Sequence, residues 1–269
     1  MRIVLDGSLG AQESVVALGM FDGVHVGHRV LLDKAKALAT QYGVPMVVQT
    51  FAQHPLALID PAKHPPLLTT MEERAALIEA AGADVFSADP FTPEIRDMPP
   101  ADFVGHLVRR WKPKAVVVGF NYSFGQHGAG TPAFLHQLGH ALGFETIVVP
   151  AIRVGLTPVS ATRIREQLSL GDVRQARRLL GRPYQREVRL VAHVGNRLEL
   201  RLLDNGKQSV GKGCFRALLC AQGKQNPVLM YAKAGGRITC AVPKGIKLEG
   251  ELTLRLITQT PQPVATYRF

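Results

Sequence analysis

Acidic charge is what the later part of this chain lacks. Residues 151–269 hold 21 Lys and Arg against 7 Asp and Glu, whereas residues 1–150 hold 11 against 14, so the formal charge of +11 belongs to the second part. That excludes a chain that is basic throughout, and confines any electrostatic attraction for an anionic partner to the C-terminal region. Cysteine is scarce: Cys214, Cys220 and Cys240 are odd in number, late in the chain and without metal-ligand spacing. A disulfide framework and a zinc site are therefore not expected; reduced thiols in a cytoplasmic protein are. No apolar run approaches the roughly 20 residues of a membrane helix. The opening MRIVLDGS has no signal-peptide core, so neither a membrane span nor export is expected. Aromatic residues make up 6% of the chain, with Trp111 the single tryptophan. A stacking platform for bases is not offered, and Trp111 is expected to pack in a core.

What is present is an adequate core and one informative turn. With 269 residues and 46% apolar content, the chain suits one large or two modest domains. Val15-Val16-Ala17-Leu18 reads as a strand buried on both faces, ending at Gly19. After Gly23 and Gly27, the apolar Leu31, Leu32, Ala35, Leu38 and Ala39 recur at helical spacing. His25 and His28 thus sit where a strand hands over to a helix, and free backbone N–H groups at a helix start attract an anion. Two imidazoles three residues apart, beside glycines that let the backbone come close, suit a polyphosphate.

Gly19-Met20-Phe21-Asp22-Gly23-Val24-His25-Val26-Gly27-His28 resembles the HxGH signature of the nucleotidyltransferase superfamily, in the form carried by its FAD synthetase (FMN adenylyltransferase) branch. Three further segments are similar to that family: Thr50-Phe51 through His54-Pro55; Gly119-Phe120-Asn121-Tyr122-Ser123-Phe124-Gly125; and Val159-Ser160-Ala161-Thr162-Arg163-Ile164-Arg165. The segment ending Leu180-Gly181-Arg182-Pro183-Tyr184 also follows it. The resemblance implies an α/β Rossmann-like nucleotidyltransferase domain with a parallel sheet over residues 1–184. It implies transfer of AMP from ATP to FMN, giving FAD and pyrophosphate, with Mg²⁺ accompanying ATP and no dedicated protein metal site. His25, His28 and Arg163 would carry the chemistry. Gly19, Phe21, Gly27, Ser160, Thr162 and Arg165 would hold ATP and its phosphates, and Asn121, His54 and Phe124 would address the flavin. Ala161 stands where the family has a second serine, and Gln126-His127 where a basic residue often follows.

From residue 185 the pattern changes to period two, with strands expected at 187–194, 197–203, 214–220, 228–232, 237–242 and 251–257, enough for a small antiparallel β-barrel over 185–269. Bifunctional members of the family hold a riboflavin kinase barrel here, but no GxPTAN-type segment follows Tyr184, so riboflavin kinase activity is not expected. This region alone carries 14 Lys and Arg against 5 Asp and Glu. Its excess allows either a solvated surface or an anionic partner, nucleic acid or acidic protein, with Arg186 and cations of neighbouring strands gathered on one side. Two other readings of the whole stay open: a non-catalytic flavin- or nucleic-acid-binding protein derived from a synthetase, and a nucleotidyltransferase with another acceptor.

Overall fold

The structure is a computed structural model that describes residues 1–5, 12–203, 206–221, 223–233, 236–242, 248 and 252–260. The chain forms two compact units, one of Met1–Pro65 with Met71–Pro158, the other of Pro66–Thr70 with Val159–Phe269.

The first unit is built on a six-stranded parallel sheet: β1 (Arg2–Val4), β2 (Ser14–Leu18), β3 (Met46–Phe51), β4 (Val85–Asp89), β5 (Pro113–Gly119) and β6 (Glu145–Val149), in the order β1-β4-β3-β2-β5-β6. Its helices are α1 (Val26–Tyr42), α2 (Leu56–Ile59), α3 (Met71–Glu79), α4 (Pro93–Arg96), α5 (Pro100–Trp111) and α6 (Pro132–Leu142), and a short hairpin, β7 (Arg153–Val154) with β8 (Thr157–Pro158), closes it. Every residue of β2 is buried, and alternation divides the strand between two cores. Val15 and Ala17 pack with Leu31, Leu32 and Ala35 of α1 and Ile78 of α3. Val16 and Leu18 pack with Phe103, Val104, Leu107 and Trp111 of α5 and Leu135 of α6. Strands covered on both faces read as continuous apolar runs, which is why β2, β3 and β5 are legible in sequence. The proline-rich segment between β4 and α5 contains α4, started by Thr92, whose Oγ1 accepts from the Ile95 N–H at 3.4 Å, with Pro93 at the first helical position.

One buried polar network crosses this sheet. Arg110 donates to both carboxylate oxygens of Asp89, and its Nη2 also donates to Ser87 Oγ at 2.8 Å. Gln49 Nε2 donates to Asp89 Oδ2 at 3.2 Å, and Trp111 Nε1 donates to Gln49 Oε1 at 2.8 Å. Trp111 is buried, as expected, and its one polar atom has a partner.

The second unit contains α7 (Ala161–Ser169), α8 (Val173–Leu180) and a closed antiparallel barrel of β9 (Tyr184–Val194), β10 (Arg197–Leu202), β11 (Gly213–Ala221), β12 (Lys224–Ala232), β13 (Arg237–Ala241) and β14 (Leu252–Thr260). The order around it is β10-β13-β12-β11-β14-β9. Leu198 and Leu200, Ala217 and Leu219, Val228 and Met230, and Leu252, Leu254 and Leu256 are its buried alternate residues. The six expected strands are all present; position 251 lies outside the described residues. Arg186 does not join an exposed cationic face. It shares its parity on β9 with the buried Tyr184 and Val188, and its guanidinium donates to the carbonyls of Leu203, Lys207 and Gln208 at 2.8–3.2 Å. α8 buries Val173, Ala176, Leu179 and Leu180 and packs on β14 and β9, which groups both helices with the barrel and sets the division between units at Pro158 and Val159. Among the described residues no helix is long and apolar enough to cross a membrane.

Candidate active site

The chain lays down β2, β3 and β4 toward one edge, then returns to place β5 and β6 on the other side of β2. The reversal lies between β2 and β5, and in open α/β sheets ligands settle at the carboxyl ends of strands beside such a reversal. Gly19–His28 leaves β2 there, and Gly119–Gly130 leaves β5 there.

The turn after β2 is strained and braced. Phe21 and Val24 hold left-handed backbone, φ 49° and 36°, uncommon for any side chain and an outlier for a β-branched one. Thr50 Oγ1 donates to the Met20 carbonyl at 3.1 Å, tying the turn to β3. Asp22, 2% exposed, faces the equally buried Arg74 of α3, whose Nη1 donates to the Phe51 carbonyl at 3.3 Å. Burial pulls the Arg74 guanidinium below its ordinary range and the Asp22 charge opposes that pull. Both groups are the braces that sequence reasoning left without a role; the only signal was Asp22 inside the family motif.

His25 is the N-cap of α1, and its Nδ1 accepts from the His28 N–H at 3.2 Å. A nitrogen that accepts carries no proton in the neutral ring, so the cap leaves the His25 proton on Nε2, as a donor. The two imidazoles stack with centroids 3.6 Å apart and planes 12° from parallel, and Phe21 meets the His28 ring edge-on at 5.2 Å. Gly27 makes this possible: a Cβ there would stand 3.3 Å from His25 Cε1 and Nδ1. A Cβ at Gly19 would likewise meet the Phe21 ring at 3.2 Å. Gly19, Phe21 and Gly27 therefore shape the histidine seat, and the fully buried Phe21 ring backs it from within the core. The first turn of α1 adds backbone N–H groups that lie outside the helical ladder.

Asn121 is exposed, two residues beyond the end of β5, in a turn closed by the Tyr122 N–H to the Gly119 carbonyl at 3.0 Å. Phe124 is 5% exposed and packs against Phe103 and Tyr122, while its N–H and carbonyl pair with Gly130. Its ring pins the loop to the core. His54, beyond β3, accepts at Nδ1 from the Leu56 N–H at 3.1 Å and meets His64 edge-on at 5.8 Å. Those eight candidates belong to the first unit.

The other four begin α7 in the second unit. Ser160 is its N-cap, with Oγ accepting from the Arg163 N–H at 3.2 Å, and Arg165 donates to Thr162 Oγ1 at 3.3 Å. Ile164 and Leu168 fix the helix by burial, which leaves Thr162 exposed and Arg163 and Arg165 partly so. Ala161 opens the helix without disturbing the cap, since its backbone is all the first turn needs there.

A parallel sheet covered on both faces, with an HxGH turn at its reversal, is a Rossmann-like α/β domain. The FAD synthetase family model matches residues 9–163, and the chain belongs to that family. It is 34% identical over 171 residues to the bifunctional riboflavin kinase/FMN adenylyltransferase of Listeria monocytogenes, which covers 63% of this chain and 54% of that protein. It is 32% identical over 174 residues to the Bacillus subtilis protein of the same name, 64% of this chain and 54% of that one. The chain thus spans about half the length of these curated relatives. The crystal structure of a macrolide-efflux protein from Streptococcus pneumoniae superposes with a TM-score of 0.88 at 22% identity, over 100% of this chain and 94% of that one, a likeness of fold alone.

Proposed function

We propose that the protein is an FMN adenylyltransferase that joins ATP and FMN into FAD and releases pyrophosphate. The observation that carries this reading is the His25–His28 stack seated on the first turn of α1 at the sheet reversal. In the proposed reaction the FMN phosphate attacks the α-phosphorus of ATP and the bond to the bridging oxygen breaks. No covalent enzyme intermediate is needed, and the work is positioning and neutralising charge. His25, through the Nε2 proton its cap bond leaves it, and His28 donate to the triphosphate as that oxygen gains charge. Ser160, Thr162, Arg163 and Arg165 engage the phosphates, with Arg163 on the departing pyrophosphate. Asn121 offers a donor and acceptors to the flavin side, with His54 as a second contact.

Mg²⁺ would enter with ATP and spread the charge of the phosphates. Among the described residues no three His, Cys, Asp or Glu side chains gather into a metal site. In this reading the ion is carried by phosphate oxygens with few protein ligands, as is the habit of Mg²⁺. A cytoplasmic location is part of the same reading.

The test is incubation with ATP, Mg²⁺ and either FMN or riboflavin, followed by separation of the flavins. FAD should appear from FMN, and no FMN should appear from riboflavin. Folded protein that forms no FAD above a protein-free control would sink the proposal. ATP-dependent FMN from riboflavin would assign the barrel a kinase activity that we propose it lacks.

A further inference from the structure

Strand register brings four cations into one row on the barrel wall. Arg201 on β10 stands directly opposite Arg189 on β9 and, on its other side, opposite Arg237 on β13. The Lys233 N–H donates to the Arg237 carbonyl at 2.9 Å, one step beyond the Ala232–Ile238 pair, so Lys233 continues the row onto the end of β12. All four residues are exposed. Among the described residues none of the four makes an ion pair, whereas Arg197 on the same barrel reaches Glu199 at 3.5 Å.

Folding does not ask for this arrangement. The inward positions beside the row, Val188, Leu200, Ile238 and Ala232, fill the barrel. The outward ones need only tolerate water. Adjacent strands lie about 4.8 Å apart, and like charges facing each other at that spacing weaken a sheet. Four in succession are an accumulated cost to stability that an anionic partner would turn into attraction.

We propose that this row is a docking surface for the phosphodiester backbone of nucleic acid, gripped without regard to base sequence. Three of the four cations are arginines, whose planar forks take phosphate oxygens two at a time. The cations repeat at an even step, as backbone phosphates do. Among the described residues no aromatic side chain is exposed in the row, and the exposed apolar residues nearest to it in sequence, Val191 and Leu203, are single side chains rather than the packed anchor that usually dominates protein–protein affinity.

The test uses the full chain and a short fluorescein-labelled single-stranded RNA of mixed sequence, titrated by anisotropy at several salt concentrations, with DNA of the same sequence in parallel. Four neutralised phosphates give a slope of log affinity against log salt of about −3 for a single strand. Replacing three of the four cations, in the triple variant Arg189→Gln, Arg201→Gln and Arg237→Gln, should weaken binding at low salt and make the slope shallower by about two. Arg216→Gln with Lys224→Gln, two exposed cations outside the row, should leave the slope nearly unchanged. RNA and DNA should bind alike, and the triple variant should melt no lower than the unaltered protein. The proposal is overturned if the unaltered protein fails to bind at low salt or if the triple variant keeps the full slope. Binding of RNA without DNA, or preference for poly-glutamate over either, also overturns it, the last assigning the surface to an acidic protein. The readout needs neither flavin nor ATP, so its failure would leave adenylyl transfer untouched.

Discussion

One methyl group at Gly27 should separate the histidine seat from the stability of the fold. The backbone there is right-handed helix, so alanine enters without strain, and the preference for alanine over glycine in a helix interior, about 0.8–1 kcal/mol, is an upper bound for this first-turn position. Against this, the new Cβ would lie 3.3 Å from two atoms of the His25 ring and 3.9 Å from Ile152 Cβ. Carbon contacts are comfortable at roughly 3.5–4.0 Å, so the ring must yield by a few tenths of an ångström. It is held on two sides, by its cap bond to the His28 N–H at 3.2 Å and by the stack on His28 at 3.6 Å, and both loosen together. Losing a cap outright costs about 0.5–2 kcal/mol, which bounds the damage, so Gly27→Ala should stay within about 1 kcal/mol of the original stability. Catalysis tolerates less: a displacement of 1 Å costs on the order of a hundredfold, so a few tenths should cost about three- to tenfold in kcat/KM. Urea unfolding and FAD formation on the same preparation provide both numbers. A stable variant with full turnover would show that the seat of His25 does not matter to the reaction. Loss of both in proportion would make the glycine a folding residue only.

His28→Ala should lower the chemical step by about 2–4 kcal/mol, the scale for losing one donor to a developing oxyanion, with flavin binding barely changed; unaltered turnover would reduce His28 to a packing role. Arg110→Met removes the cation from the buried Asp89 network and should destabilise by about 3–5 kcal/mol in urea, while a loss under about 1 kcal/mol would mean that water already satisfies Asp89. Burial, with Arg110 and Arg109 close by, holds His106 below the ordinary histidine range against the smaller pull of Asp89. The unfolded chain then takes the proton more readily, so this group costs stability as pH falls from about 6.5 through its folded value. His106→Gln should therefore lose less stability on acidification than the unaltered protein, and equal losses would refute the assignment.

The parts of the fold that sequence reveals are those whose signal is local. β2, β3 and β5 are buried on both faces, and their stretches Val15–Leu18, Met46–Val48 and Ala115–Val118 are spelled as apolar runs. The barrel strands announce themselves by alternation, Leu198 with Leu200 and Leu252 with Leu254 and Leu256. The signal fails where the deciding partner is distant in the chain. Arg186 reads as one more surface cation, yet carbonyls 17 to 22 residues onward take it inside. Nothing near Asp89 foretells that Arg110, 21 residues onward, will satisfy it. α7 and α8 read as the tail of the first domain, because sequence order says nothing about which neighbour they pack on.

The same rule sorts the candidate site. The cap, the stack and the need for Gly27 all arise within ten residues, Gly19 to His28, so that segment reads as a unit from its sequence alone. Asn121 needs the strand order, since only the reversal between β2 and β5 brings its loop to the same sheet edge as the histidines. Phe124 carries a structural part beside the flavin contact that the resemblance implies: its ring, turned into the core, makes the loop hold its shape. Asp22 and Arg74 complete the point. A turn with left-handed Phe21 and Val24 must be over-determined by its surroundings, and two buried groups of opposite charge beside it, with Arg74 bonded to the Phe51 carbonyl, are part of what holds it. A motif therefore records the residues that do chemistry together with those that hold the strain, and only the fold around them tells the two apart.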